Sequence, residues 1–239
     1  MKLVATALCA PLLSLLALGA PVRADPVKDC LSAAPLAEPQ AALETCTVAA
    51  ARDMPDASRA QVLLNIGLAQ RALDRLPQSE SALRRAATLA PRDAEILRML
   101  AWTLRQERKP AQAEMLLTRS LKLADVPQGW LSRCVVRQDQ AHFSQAVPDC
   151  ARALEERPGD LDAIYFSARA LNRSGQPGDA LAVAREGLTE NAESGRIYVQ
   201  AARAQLSLGR AAAARDTIAE GLRLFPGDAG LARLRTSLH

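Results

Sequence analysis

The chain has 239 residues, enough for one or two domains with a sizeable buried core. Forty-eight are alanine, only seven are aromatic and β-branched residues are thin, a composition that argues against a β-sandwich or barrel. The 26 arginines and 4 lysines are interspersed with 26 acidic residues, and a net charge of +4 spread this way is no nucleic-acid footprint.

Residues 1–24 read as a secretory signal peptide. Lys2 supplies the positive start, and Leu3 to Ala20 is apolar with Pro11 interrupting it. Val22-Arg23-Ala24 then places small residues where signal peptidase needs them, so cleavage is expected after Ala24, leaving a net charge of +2 (28 basic against 26 acidic). The apolar stretch is at the short edge of spanning length, and no stable membrane anchor is expected after cleavage. Cys9 follows Leu8 rather than the small residue a lipidated leader needs, and reads as leader filler. The expected location is periplasmic or secreted.

From residue 60 onward the sequence repeats. Pro-Gly-Asp occurs at 158–160 and again at 226–228, twice 34 apart, and Pro91-Arg92-Asp93 lies 67 before the first copy. Leu121, Leu154, Leu188 and Leu222 follow at steps of 33, 34 and 34; Ala113, Ala146, Ala180 and Ala214 keep the same steps. Within a period, two runs of helical apolar spacing are separated by a short turn. In 195–228 the first run ends at Gly209-Arg210 and the second at Pro226-Gly227, ordinary helix stop signals. Ala168, Ala180, Ala202 and Ala214 fall where two helices would cross and allow close approach.

This pattern resembles the tetratricopeptide repeat. The shared features are the 34-residue helix-turn-helix unit and a bulky residue early in the first helix (Trp130, Ile164, Tyr198). A small residue follows four later (Cys134, Ala168, Ala202), the second helix carries an Ala-x3-bulky-x2-small pattern, and a proline lies near the unit's end. The resemblance implies an all-α, right-handed solenoid over residues 25–239. It divides into about six units, 25–56, 60–93, 94–126, 127–160, 161–194 and 195–228, with a capping helix over 229–239. Ser79 in place of alanine and the missing proline after Asn191 depart from the pattern, and the first unit shows chiefly through Ala42, Cys46 and Ala49.

Four cysteines remain after cleavage, in two pairs with one spacing of 16, Cys30 to Cys46 and Cys134 to Cys150. Three pairings are possible. In the repeat register each pair joins the two helices of one unit, close enough for a bridge in an oxidising compartment. Disulfides Cys30–Cys46 and Cys134–Cys150 are therefore expected. The two histidines, His142 and His239, accompany no metal-spaced cluster, phosphate loop or nucleophile elbow. No catalytic residue, metal site or cofactor is expected.

The first helices of such a solenoid line a concave surface. Helical phase assigns to it Gln61, Leu64, Leu68 and Arg71; Glu95, Arg98, Trp102 and Arg105; Gln128, Leu131, Val135 and Gln138; Asp162, Tyr165, Arg169 and Asn172; and Arg196, Val199 and Arg203. Trp130 and Tyr198 are assigned to the core. Arginine forks beside Trp102 and Tyr165 suit a peptide or protein with acidic side chains or a free C-terminal carboxylate; an amphipathic helix against Leu64, Leu68, Leu131 and Val135 is the other occupant considered. The expectation is an exported, non-enzymatic and monomeric scaffold or chaperone-like adaptor. The family resemblance implies work in bacterial envelope assembly or secretion. A self-assembling repeat protein, and less favourably a redox or metal-dependent enzyme, are the alternatives.

Overall fold

A computed structural model describes residues 25–189 and 194–238. The expected leader, Asn191 and His239 lie outside them. The described residues form thirteen α-helices in consecutive antiparallel pairs: α1 (Pro26–Leu31) with α2 (Pro39–Ala50), α3 (Asp56–Ala72) with α4 (Leu76–Leu89), and α5 (Ala94–Gln106) with α6 (Pro110–Leu123). There follow α7 (Pro127–Asp139) with α8 (Phe143–Glu156), α9 (Leu161–Arg173) with α10 (Pro177–Thr189), and α11 (Gly195–Ser207) with α12 (Ala211–Leu224). A single helix, α13 (Ala229–Thr236), closes the series. The all-α solenoid read from the sequence is the fold.

The repeated tripeptide has a local job. Asp93 and Asp160 are N-caps whose side chains accept the backbone N–H groups of Glu95 and Ile96, and of Asp162 and Ala163, at 2.9–3.0 Å. Asp228 does the same for α13 through Leu231 N–H. The turn inside the pairs also recurs. Asp74, Arg108, Ala141, Gly175 and Gly209 all have φ between 59° and 81°, so in the second to sixth pairs one left-handed residue reverses the chain whether or not a glycine is there.

First helices touch one another in succession, α3 to α5 to α7 to α9 to α11, whereas each second helix packs only on its own partner and the first helix that follows. The first helices are thus the inner layer of the solenoid. The alanine ladder Ala113, Ala146, Ala180 and Ala214 is fully buried, as are Ala101, Cys134, Ala168 and Ala202 one helix away. Ser79 occupies the ladder position of its own unit, where its hydroxyl lies 3.1 Å from that of Thr103 and satisfies both buried groups. Leu231 of α13 is buried against Tyr198, Val199 and Ile218 and seals the last pair.

Tyr198 is buried as expected, but Trp130 is not a core residue. Leu121 packs directly against the bare backbone of Gly129, filling the space beneath that turn of α7. Trp130 is displaced to a partly exposed position, where its indole N–H bonds to Asp125 and the Arg133 guanidinium lies 5.0 Å from the ring centre. Both cysteine pairs have their sulfurs at bonding distance, with Cα–Cα separations of 4.7 Å for Cys30/Cys46 and 5.3 Å for Cys134/Cys150.

Candidate protein-binding cleft

Four first helices contribute to one concavity of about 240 Å³. Arg71 comes from α3, Arg98, Met99 and Trp102 from α5, Gln128, Leu131, Ser132 and Val135 from α7, and Asp162 and Phe166 from α9. Spacings of three, four and seven residues put each set on one face of its helix. The floor is apolar and the rim carries two cations.

Arg71 and Arg98 differ from Arg105, Arg133, Arg137 and Arg196 in lacking a close counter-charge among the described residues. No carboxylate of the described residues lies within 4 Å of Arg71, whose guanidinium nitrogens sit 4.0 Å from the Met99 sulfur. Arg98 has only Glu95, at 3.8 Å and itself largely exposed. Burial, followed by the like charge of Arg98, pulls the Arg71 pKa below its usual value; burial does the same to Arg98, against the opposing effect of Glu95. Both groups stay cationic, and an anion placed between them would relieve both effects.

The other assigned positions divide. Leu64 and Leu68 are core: that face of α3 packs on α5, where Ile96 and Leu100 share their cluster, and it is not open to a partner. Val135 is nearly buried and forms only the cleft floor, while Leu131 is half-open. Gln138 is also buried. Arg105 lies 4.8 Å from the Trp102 ring centre but is spent on Asp139, Nε to Oδ2 2.5 Å. Gln61 is turned to Asp93, and Asn172 is a strut whose amide donates to the Gln200 carbonyl at 3.0 Å.

Tyr165, Arg196, Val199 and Arg203 meet in a separate depression with Asp228 and Arg233 towards the C-terminal end. There Arg196 stacks 4.7 Å from the Tyr165 ring centre and bonds Asp162 at 3.0 Å, and Val199 is largely buried. Arg169 is partly exposed and lines neither concavity.

Met99, Ser132 and Phe166 belong to the cleft and were missed. Each lies four residues after an assigned position (Glu95, Gln128, Asp162), and the assignment took the i+3 neighbour each time. A cleft formed between helices is wide enough to receive both. Among the described residues no group of three or more His, Cys, Asp or Glu side chains could hold a metal ion, and no helix is long and apolar enough to cross a membrane.

An inner layer of first helices with one amphipathic cleft defines a helical-repeat interaction fold. Residues 171–238 match the tetratricopeptide repeat family, and the described residues share the fold of tetratricopeptide-repeat solenoids. No curated protein matches the sequence significantly. Solved structures with the same fold include PilW, a widely conserved type IV pilus biogenesis factor. It is 20% identical, with a TM-score of 0.75 over 87% of this chain and 96% of that one. PilF of Pseudomonas aeruginosa is 13% identical with a TM-score of 0.73, over 89% and 96% of the two chains. YrrB, a repeat protein with an unusual peptide-binding site, is 14% identical with a TM-score of 0.69, over 81% and 99%.

Proposed function

We propose that the protein is an exported, non-enzymatic scaffold or adaptor that holds a partner protein or peptide in the cleft between α3, α5, α7 and α9, and that it serves envelope assembly or secretion. The observation that carries this reading is the pair of half-buried arginines, Arg71 and Arg98, beside an apolar floor of Trp102, Leu131, Val135 and Phe166. A carboxylate from the partner would gain charge-assisted hydrogen bonds from guanidinium groups that have no strong ones now. An adjoining apolar side chain would cover the floor and exclude water from those bonds. The leader-like residues 1–24 and the paired cysteines support an oxidising compartment outside the cytoplasm. The likeness to PilW supports pilus assembly as the first process to examine.

The test is photocross-linking in cells from positions 102 and 166, with capture repeated in Arg71→Glu/Arg98→Glu. One dominant envelope protein, lost in the charge-reversed variant, is the expected result. Capture unchanged by charge reversal, or adducts to the protein itself alone, would overturn the cleft reading and favour self-assembly.

A further inference from the structure

The wall of the cleft formed by α7 and α9 rests on a buried polar unit. Gln138, 2% exposed, directs its side-chain amide at three acceptors: the Phe166 backbone carbonyl at 2.9 Å, the Cys134 sulfur at 3.2 Å and the Cys150 sulfur at 3.5 Å. The Phe166 carbonyl fixes the sense of the amide, because the opposite orientation would set oxygen against oxygen. The Phe166 side chain packs on the cluster of Cys134, Ala146, Cys150 and Ala170, and it also lines the cleft. One residue along from Cys134, Val135 forms the floor. A single cross-link thus joins α7 to α8, a single amide joins that link to α9, and the residues on either side of the joint are cleft residues.

We infer that Gln138 and the Cys134–Cys150 pair act as a positioning unit that holds Phe166 and Val135 against Trp102 and so sets the width of the cleft. Without the cross-link the covalent limit on the separation of α7 and α8 is lost directly behind Phe166. The other pair supplies an internal control. Cys30–Cys46 sits with Ala49 and Val62 in a separate cluster that contributes nothing to the cleft. Both pairs close a loop of the same length and should stabilise the chain comparably, so only a positioning role separates their effects on the cleft. The consequence for partner binding rests on the cleft reading above; the consequence for cleft width does not.

The first experiment therefore needs no ligand. In full-length protein carrying Trp130→Phe, acrylamide quenching of Trp102 fluorescence reports how open the cleft is. Cys134→Ala/Cys150→Ala should raise the quenching constant about twofold. Gln138→Met keeps length and burial, lacks the amide donor, and should raise it in the same sense. Cys30→Ala/Cys46→Ala should leave it unchanged although its Tm falls. If both the Cys134/Cys150 and Gln138 variants quench like the parent, or if the Cys30/Cys46 variant quenches as strongly as they do, the positioning unit is refuted. The second readout is the affinity of a fluorescein-labelled octapeptide of alternating glutamate and phenylalanine. A fivefold or greater loss is expected for Cys134→Ala/Cys150→Ala and none for Cys30→Ala/Cys46→Ala. Quenching that follows the expected pattern while Arg71→Glu/Arg98→Glu leaves peptide affinity unchanged would overturn the cleft as a carboxylate seat and support the positioning unit.

Discussion

Removing the Asp149 carboxylate is the sharpest test of how the middle of the solenoid is held. Asp149, on α8, is 3% exposed and uses both oxygens. Oδ1 accepts from Arg133 Nη2 at 2.8 Å; Oδ2 accepts from Arg133 Nε at 2.8 Å and Arg137 Nη1 at 2.9 Å. In Asp149→Ala, Arg133 keeps only the Thr118 hydroxyl at 3.3 Å and the face of the Trp130 ring, whereas Arg137 retains Glu114 at 2.8 Å. Arg133 is itself only 12% exposed, so one cation is left largely desolvated without a counter-charge. Breaking a buried pair in this way costs about 3–5 kcal/mol. At roughly 2–4 °C per kcal/mol for a chain of this size, Tm should fall by about 10 °C. Because each repeat is coupled only to its neighbours, the melt should also broaden as the fourth pair releases the two sides of the solenoid. Replacing both partners with apolar residues (Asp149→Leu/Arg133→Met) should recover much of the loss, since the native pair also bears the cost of desolvation. The assay is thermal melting by circular dichroism at 222 nm on the two single variants and the double. A Tm for Asp149→Ala within 2 °C of wild type, or a double variant worse than the two single losses combined, would refute the reasoning.

Acid should loosen the contact between α4 and the turn before α6. Hydrogen bonding with Glu107, then with the Lys109 ammonium at 2.8 Å, and also with Arg84, brings the Glu80 pKa down from 4.5 to about 2. A depressed carboxylate contributes stability that is present above its unfolded pKa and is lost as pH falls through the folded one. Tm should therefore drop between about pH 5 and pH 2, less steeply in Glu80→Gln, and equal slopes would show that this site is not responsible. Ala141 holds φ at +60° at the turn where the following units have Gly175 and Gly209. Ala141→Gly should raise stability by about 1 kcal/mol, read as a Tm increase of a few degrees, by removing the Cβ clash of the left-handed conformation; an unchanged or lower Tm would contradict this.

The sequence by itself determined most of what is local or periodic about this protein. The step of 34, the small residues buried in register, the aspartates that cap α5, α9 and α13, and the cysteine pairs within one helical hairpin are relations over short stretches of chain. Backbone geometry and close helix contact fix such relations before any long-range packing is known. Helical phase also placed Arg71, Arg98, Trp102, Leu131 and Val135 in one concavity. Phase gives only the direction of a side chain about its own axis; what the chain meets there depends on how adjacent repeats are set against each other. That setting turned Leu64 and Leu68 into core and let Leu121 close on Gly129, pushing Trp130 outward. It also brought Arg105 to Asp139 and Arg196 to Asp162, each pair 34 residues apart, and in doing so removed two arginines from the supply of free cations. Arg71 and Arg98 carry the site because, among the described residues, the stacking of repeats brings no carboxylate closer to them than Glu95, 3.8 Å from Arg98.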